Sequence, residues 1–207
     1  MPTSRPLLRQ KIRDLRKTIS PEQHAHYSAQ MVDRFMHHER INRASCIALY
    51  MSVDGEVDTA GVINWCLNNN IRVALPVLHP FSKGHLLFLN YDKNTIMVNN
   101  KYGIPEPELD VRNVIPLNRI DIMCTPLVAF DASGNRLGMG GGYYDRTLQI
   151  YNQTGEGPFP VGLALDIQEV ESLPTEIWDV PLPEIITPTR DIIFEKNIRE
   201  PSGNSGR

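Results

Sequence analysis

Short apolar runs alternate along this chain with longer mixed segments, and the alternation predicts strands and helices in turn. Cys46-Ile47-Ala48-Leu49-Tyr50-Met51 is the first run and reads as a buried strand ending in the polar turn Ser52–Asp58. Ile71-Arg72-Val73-Ala74-Leu75 is the second, stopped by Pro76, and Leu86-Leu87-Phe88-Leu89 is a weaker third. Asp121–Cys124 and Val128–Phe130 are strand-like on either side of Pro126. Val161–Leu165, Ile185–Thr187 and Ile192–Phe194 complete the set.

The intervening segments read as helices. Residues 5–17 predict a basic helix. Ser20 is an N-cap, Pro21 takes the first helical position and Gln23 completes a capping box, so a second helix runs to about Glu39. Thr59 onward predicts a third, and Tyr143–Tyr151 a fourth. Strands alternating with helices imply a single α/β domain, residues 1–198, with a largely parallel central sheet flanked by helices. Residues 199–207, polar and rich in Gly and Ser, are expected to form a disordered tail. In such a sheet the ligand sits beyond the carboxyl ends of the strands, where Ser52–Asp58 and Asp131–Asp145 both fall.

Composition narrows the function. At 207 residues and 41% hydrophobic content, the chain is long and apolar enough for one real core. A net charge of −3 gives no basic field for nucleic acid. Cys46, Cys66 and Cys124 are far apart, which argues against a disulfide or zinc scaffold and fits a reducing compartment. The six His residues show no metal-binding spacing and are expected at the surface or in packing. No signal-like or membrane-length apolar run occurs, so a cytoplasmic protein without membrane contact is expected.

The densest chemistry lies in Arg136-Leu137-Gly138-Met139-Gly140-Gly141-Gly142-Tyr143-Tyr144-Asp145. Clustered glycines let backbone N–H groups converge on an anion, most favourably just before a helix N-terminus. An adjacent Arg adds charge-assisted hydrogen bonds, and an Asp can hold a cation that bridges phosphates. Gly142 is followed by Tyr143, which excludes both the P-loop and the dinucleotide fingerprint.

Other groups are less decided. Arg5, Arg9 and Arg13 share one helix face, with Arg16 three residues on; they form a phosphate clamp or a solvated basic face, and spacing alone favours the solvated face. Glu56 reads as a surface carboxylate or as an acceptor for an amino-amidine edge such as a pterin's, with surface exposure favoured on chemistry alone. Asp58 or Thr59 reads as a helix cap, residues 102–107 as a stiff connector, and Asp179 as a turn former or a metal ligand.

The ordered set of motifs resembles the 5-formyltetrahydrofolate cyclo-ligase (methenyltetrahydrofolate synthetase) family. The residues that carry the likeness are Arg5 to Arg9, Glu56-Val57-Asp58-Thr59, Gly103-Ile104-Pro105-Glu106-Pro107, Arg136 to Asp145, and Asp179. The resemblance implies a fold similar to the NagB/RpiA/CoA-transferase group. It implies ATP- and Mg²⁺-dependent closure of 5-formyltetrahydrofolate to 5,10-methenyltetrahydrofolate through an iminophosphate, with ADP and phosphate released. By this likeness ATP contacts Arg5, Arg9 and Arg136 through Tyr144, while folate contacts Met51, Glu56 and Met139 through Tyr143. Asp145 and Asp179 hold Mg²⁺, and Arg136, Tyr143 and Asp145 carry catalysis. The expected partners are the folate and ATP alone, on a monomer. Two competing classes are a folate or nucleotide carrier without turnover, and a sugar-phosphate isomerase that needs no ATP.

Overall fold

The computed structural model describes residues 4–194, so the expected boundary at 198 and the tail beyond it lie outside the described residues. Two helices open the chain, α1 (Arg5–Lys17) and α2 (Pro21–His37), followed by the single-turn α3 (Glu39–Asn42). The capping box forms as the sequence predicts: Gln23 N donates to Ser20 Oγ at 3.2 Å and Ser20 N to Gln23 Oε1 at 3.0 Å. The next elements are β1 (Cys46–Ala48), α4 (Ala60–Asn68), β2 (Arg72–Leu78) and β3 (Leu86–Tyr91). They are followed by β4 (Met97–Asn99), β5 (Pro105–Pro107), β6 (Ile122–Thr125), β7 (Ala129–Asp131) and β8 (Arg136–Leu137). Helix α5 (Tyr143–Thr154), β9 (Phe159–Leu163), β10 (Glu169–Val170), β11 (Glu184–Ile186) and β12 (Asp191–Ile193) complete the order.

Seven strands form the central sheet in the order β12-β11-β9-β6-β1-β2-β3. The five inner strands are parallel, and only the edge strands β3 and β12 run antiparallel to their neighbours. Both faces are covered, which is why the strands read as continuous apolar runs rather than alternating ones. Successive residues nevertheless divide between two cores. Ile47, Val73, Leu75, Ile122 and Cys124 pack with Met31 and Phe35 of α2 and with Val62 and Cys66 of α4. Cys46, Ala48, Ala74 and Met123 face the other way, toward Phe88 and Leu148 of α5. A third cluster lays Leu8 and Ile12 of α1 on Val128, Ala129 and Leu137 of the β7–β8 hairpin. The hairpin also pairs with β10, through β7.

Chain order sets the position of the site. From β1 the chain steps to one side through α4 into β2, whereas β6, β9 and β11 lie on the other side. The direction reverses between β1 and β6, and the loops leaving their carboxyl ends must diverge there, opening a crevice.

Four expectations are corrected. Pro76 does not stop β2, which continues to Leu78. Arg72 N and Ala74 O bond toward β1, so the Pro76 nitrogen is the next group to face that side, past the end of the β1 ladder, where no donor is needed. Residues 105–107 are strand rather than connector, paired with β4. The strand expected at Val161–Leu165 starts two residues earlier, at Phe159, whose N–H bonds Asp121 O. Helix α2 ends at His37 because His38 turns its ring inward: Nε2 donates to the buried Glu184 carboxylate, and Nδ1 accepts from Ile41 N and caps α3.

Candidate active site

A cavity of about 380 Å³ opens at the reversal point between β1 and β6. That size lies within the range of small-molecule sites, so the residues on its wall are candidates for recognition as well as for packing. Among the expected site residues, Arg5, Arg9, Met51, Glu56, Arg136, Gly138, Met139, Gly140, Gly142, Tyr143, Tyr144, Asp145 and Asp179 all line it. Two do not. Leu137 packs in the α1–hairpin cluster, because the two-residue strand β8 directs it inward. Gly141 faces away and accepts from Arg146 Nη1 through its carbonyl at 2.8 Å.

The glycine loop takes its shape from positions where a side chain would be costly. Gly140 has φ 104°, in a region that L-residues rarely enter. A Cβ on Gly141 would lie 2.5 Å from the Tyr143 ring, so the ring packs where a side chain would otherwise stand. Gly142, left-handed at φ 66°, is the N-cap of α5 and offers no side chain to its first N–H groups. Those donors are left for another acceptor, an arrangement suited to an anion.

Arginines surround this loop. Arg9 Nε donates to Gly138 O at 2.7 Å. Arg136 is 4% exposed, and its Nη2 donates to Asp145 Oδ1 at 2.7 Å. Its Nε is buried without a partner, as is the Tyr144 hydroxyl. Burial lowers the Arg136 pKa against the opposing charge of Asp145. Arg5 Nη2 donates to Asp179 Oδ1 at 3.0 Å, and Arg5 Nη1 donates to the other carboxylate oxygen. Burial pushes the Asp179 carboxyl up, but the Arg5 hydrogen bonds and the Glu176 N–H outweigh it and hold it below the usual range.

The basic face of α1 is not solvated, contrary to what its spacing favoured. Arg5 and Arg9 turn to the cavity, while Arg13 Nε and Arg16 Nη2 donate to Asp54 Oδ2 at 2.6 and 2.8 Å. Glu56 is not a surface carboxylate either: it is 6% exposed, with Oε2 accepting from Val53 N at 3.1 Å. Burial raises its pKa to about 7, against the opposing Val53 hydrogen bond and Arg16 charge. The turn folds inward because His24 Nε2 donates to the Glu56 carbonyl at 2.7 Å and Thr59 Oγ1 to Tyr50 O at 2.6 Å. Thr59 stands at the N-cap of α4 without a side-chain cap bond, and Asp58 Oδ1 accepts from Ala60 N at 2.9 Å in its place.

Several wall residues were not expected. Tyr50 continues β1 into the cavity, and Trp178 stands beside Asp179 at its rim. Glu106 Oε2 accepts from Leu78 N and from Asn100 Nδ2, both at 3.1 Å, tying the β4–β5 ribbon to the end of β2. The ribbon carries Tyr102, whose hydroxyl lies 3.0 Å from that of Tyr143. The signal for this wall was the Gly103–Pro107 block, which turn chemistry alone reads as a connector. Among the described residues, no group of three or more His, Cys, Asp or Glu side chains is placed to hold a metal ion. No described helix is long and apolar enough to cross a membrane.

Comparison with known proteins agrees with this geometry. The model of the 5-formyltetrahydrofolate cyclo-ligase family matches residues 2–188. The chain is 50% identical over 179 residues to a 5-formyltetrahydrofolate cyclo-ligase of Escherichia coli, covering 86% of this chain and 97% of that one. The fold is similar to that of a 5,10-methenyltetrahydrofolate synthetase from Aquifex aeolicus, with TM-score 0.79, 25% identity and 97% of each chain covered. It is also similar to a 5,10-methenyltetrahydrofolate synthetase from Mycoplasma pneumoniae, with TM-score 0.69, 26% identity, and 90% of this chain and 99% of that one covered.

Proposed function

The chain belongs to the 5-formyltetrahydrofolate cyclo-ligase family, and from that premise we propose that it closes 5-formyltetrahydrofolate to 5,10-methenyltetrahydrofolate at the expense of ATP. The observation that carries the reading is that one cavity joins two unlike recognition surfaces. One is the glycine loop with Arg5, Arg9 and Arg136, which suits polyphosphate; the other is the buried acceptor Glu56 beside Met51 and Tyr50, which suits a flat, donor-edged heterocycle.

The chemistry needs both surfaces. A formamide oxygen is a poor leaving group. Phosphoryl transfer breaks the bond from the γ-phosphorus to the bridging oxygen of ADP and forms one to the formyl oxygen, giving an iminophosphate. The N10 lone pair then forms the new C–N bond, and the C–O bond breaks to release phosphate, which takes the N10 proton. Such a sequence depends on alignment and charge neutralisation rather than on a protein nucleophile. Arg136 and Arg9 meet phosphate charge, the N–H groups at the start of α5 bind oxygen, and Glu56 fixes the pterin edge. Tyr143 and Tyr102, whose hydroxyls lie 3.0 Å apart, stand together on the cavity wall.

The donor set also fits Mg²⁺. Asp145 and Asp179 are hard carboxylates on the same wall, and this ion is commonly held by one or two carboxylates, with phosphate oxygens and water completing its sphere. Bound there, it would neutralise charge on the transferring phosphoryl group. In the structure both carboxylates pair with arginines, so binding would require Arg5 and Arg136 to share them. Three free, buried cysteines support a reducing, cytoplasmic setting. The substrates are the expected partners, on a monomer.

The test is to mix the protein with 5-formyltetrahydrofolate and ATP–Mg²⁺ and to follow methenyl absorbance and ADP together. Equal yields of both support the reading. Folate binding without ADP release would indicate a carrier, and turnover of a sugar phosphate without ATP an isomerase.

A further inference from the structure

Arg16 occupies an unusual place for a cation. Its side chain is sealed from solvent beneath the Asp54-Gly55-Glu56 turn. Nη2 donates to Asp54 Oδ2 at 2.8 Å, while Nε and Nη1 are buried without a hydrogen-bond partner. Glu56 feels this guanidinium as a nearby charge. One buried cation beneath the turn is therefore hydrogen-bonded to the first of its two carboxylates, Asp54, and the second, Glu56, follows two residues on, with its own Oε2 accepting from Val53 N at 3.1 Å.

The backbone shows that the arrangement is held in place. Asp54 has φ 53°, a left-handed conformation disfavoured for a residue with a side chain, and Gly55 follows at φ 72°. Asp tolerates this conformation better than most residues, and its surroundings add to the hold. Here Arg13 and Arg16 hold its carboxylate from α1, with Arg13 Nη2 adding a bond of 3.3 Å to Oδ1. The next residue but one is Glu56.

We propose that Arg16 and Asp54 are positioning residues for folate recognition: their buried ion pair beneath the turn holds Glu56 where its carboxylate accepts the pterin edge, with the Arg16 charge favouring that carboxylate and the Asp54 charge opposing it. The proposal rests on the reading of Glu56 given above. The groups facing Glu56 are Arg16 from α1, His24 from α2 through the Glu56 carbonyl, Asp54 on its own turn, Tyr50 after β1 and Tyr144 from α5. Two of these carry charges of opposite sign that substitution can remove singly. Removing the cation disfavours the Glu56 carboxylate, and removing the neighbouring anion favours it. A pair that served only as a staple between α1 and the turn would weaken stability without shifting a titration in opposite directions.

The experiment measures the dissociation constant of 5-formyltetrahydrofolate by calorimetry, from about pH 5.5 to about pH 9, on the natural protein, Glu56→Gln, Arg16→Gln and Asp54→Asn. Affinity of the natural protein is expected to rise with pH around the Glu56 midpoint of about 7. Arg16→Gln should move that midpoint up by roughly one pH unit, and Asp54→Asn should move it down by roughly half a unit. Midpoints that stay in place or move together overturn the proposal. If Arg16→Gln does not fold, Asp54→Asn decides alone: a downward shift supports the proposal and an unmoved midpoint overturns it. Glu56→Gln separates the two layers. Unchanged, still pH-dependent binding in that variant removes the Glu56 reading itself. A flat profile there, with unmoved midpoints in the other variants, removes only the role of Arg16 and Asp54.

Discussion

Arg136 Nη2 and Asp145 Oδ1 lie 2.7 Å apart at the wall of the cavity, the arginine buried and the carboxylate also accepting from Val180 N at 3.2 Å. The Asp at the head of α5 therefore has a partner before any ligand arrives. Its position at the head of α5 also interacts favourably with the helix dipole, by about 0.3–1 kcal/mol.

Asp145→Asn separates structure from catalysis. The amide oxygen can still accept from Arg136, so the variant should fold. If Asp145 holds Mg²⁺, kcat/KM should fall by roughly two orders of magnitude, the scale of losing one charge partner in the transition state, and excess Mg²⁺ should restore part of it. Steady-state kinetics at limiting and saturating Mg²⁺ check this; near-normal activity at limiting Mg²⁺ would reduce Asp145 to a partner for Arg136.

Glu56→Gln should weaken folate binding by about 1–3 kcal/mol, since a charged acceptor is lost from a buried site. ATP affinity should barely change. Separate titrations of the two ligands measure this, and an unaltered folate constant in a folded variant would count against the pterin assignment.

The same residue carries a pH signature in the unliganded protein. Its pKa is about 7 when folded, against an ordinary value of 4.5, so the folded state holds more protons between those values. Stability should therefore decline as pH rises through that window and level off above it. Glu56→Gln removes the effect. At pH near 8 the variant should be the more stable by up to about 3 kcal/mol, and near pH 4 the gain should vanish. Thermal melts at the two pH values test the sign, and a gain that is the same at both would show that burial does not govern this carboxyl.

Much of the sheet was legible because its strands are buried on both faces and each leaves an uninterrupted apolar run, as Cys46–Ala48 and Ile122–Thr125 do. The place of the glycine loop before a helix was legible because four glycines in five positions precede the segment that forms α5, and the loop lines the cavity. Pro76 misled because a proline is excluded only where a neighbouring strand needs its N–H, and that depends on where β1 stops. Arg13, Arg16 and Glu56 misled for a related reason. Charged residues default to the surface, and only the tertiary meeting of α1 with the turn after β1 gives Arg13 and Arg16 the Asp54 carboxylate. Glu106 and Tyr102 were visible in the sequence as a turn, but their role at the cavity depends on a ribbon folding back onto β2.

Arg9→Ala should raise the Michaelis constant for ATP and leave that for folate nearly unchanged. The guanidinium holds Gly138 O at 2.7 Å, and in the proposed reading it also meets phosphate charge, so its loss would remove a charge partner and loosen the loop. A fall in melting temperature with both constants intact would make the contact purely structural.

If ATP activates the formyl oxygen within this cavity, that oxygen leaves with the phosphate and can be followed. The protein is given 5-formyltetrahydrofolate labelled with heavy oxygen in the formyl group, together with ATP–Mg²⁺, and the released phosphate is examined by mass spectrometry. Each methenyl product formed should be matched by one phosphate carrying the label. Unlabelled phosphate, with the heavy oxygen recovered in water, would contradict that activation.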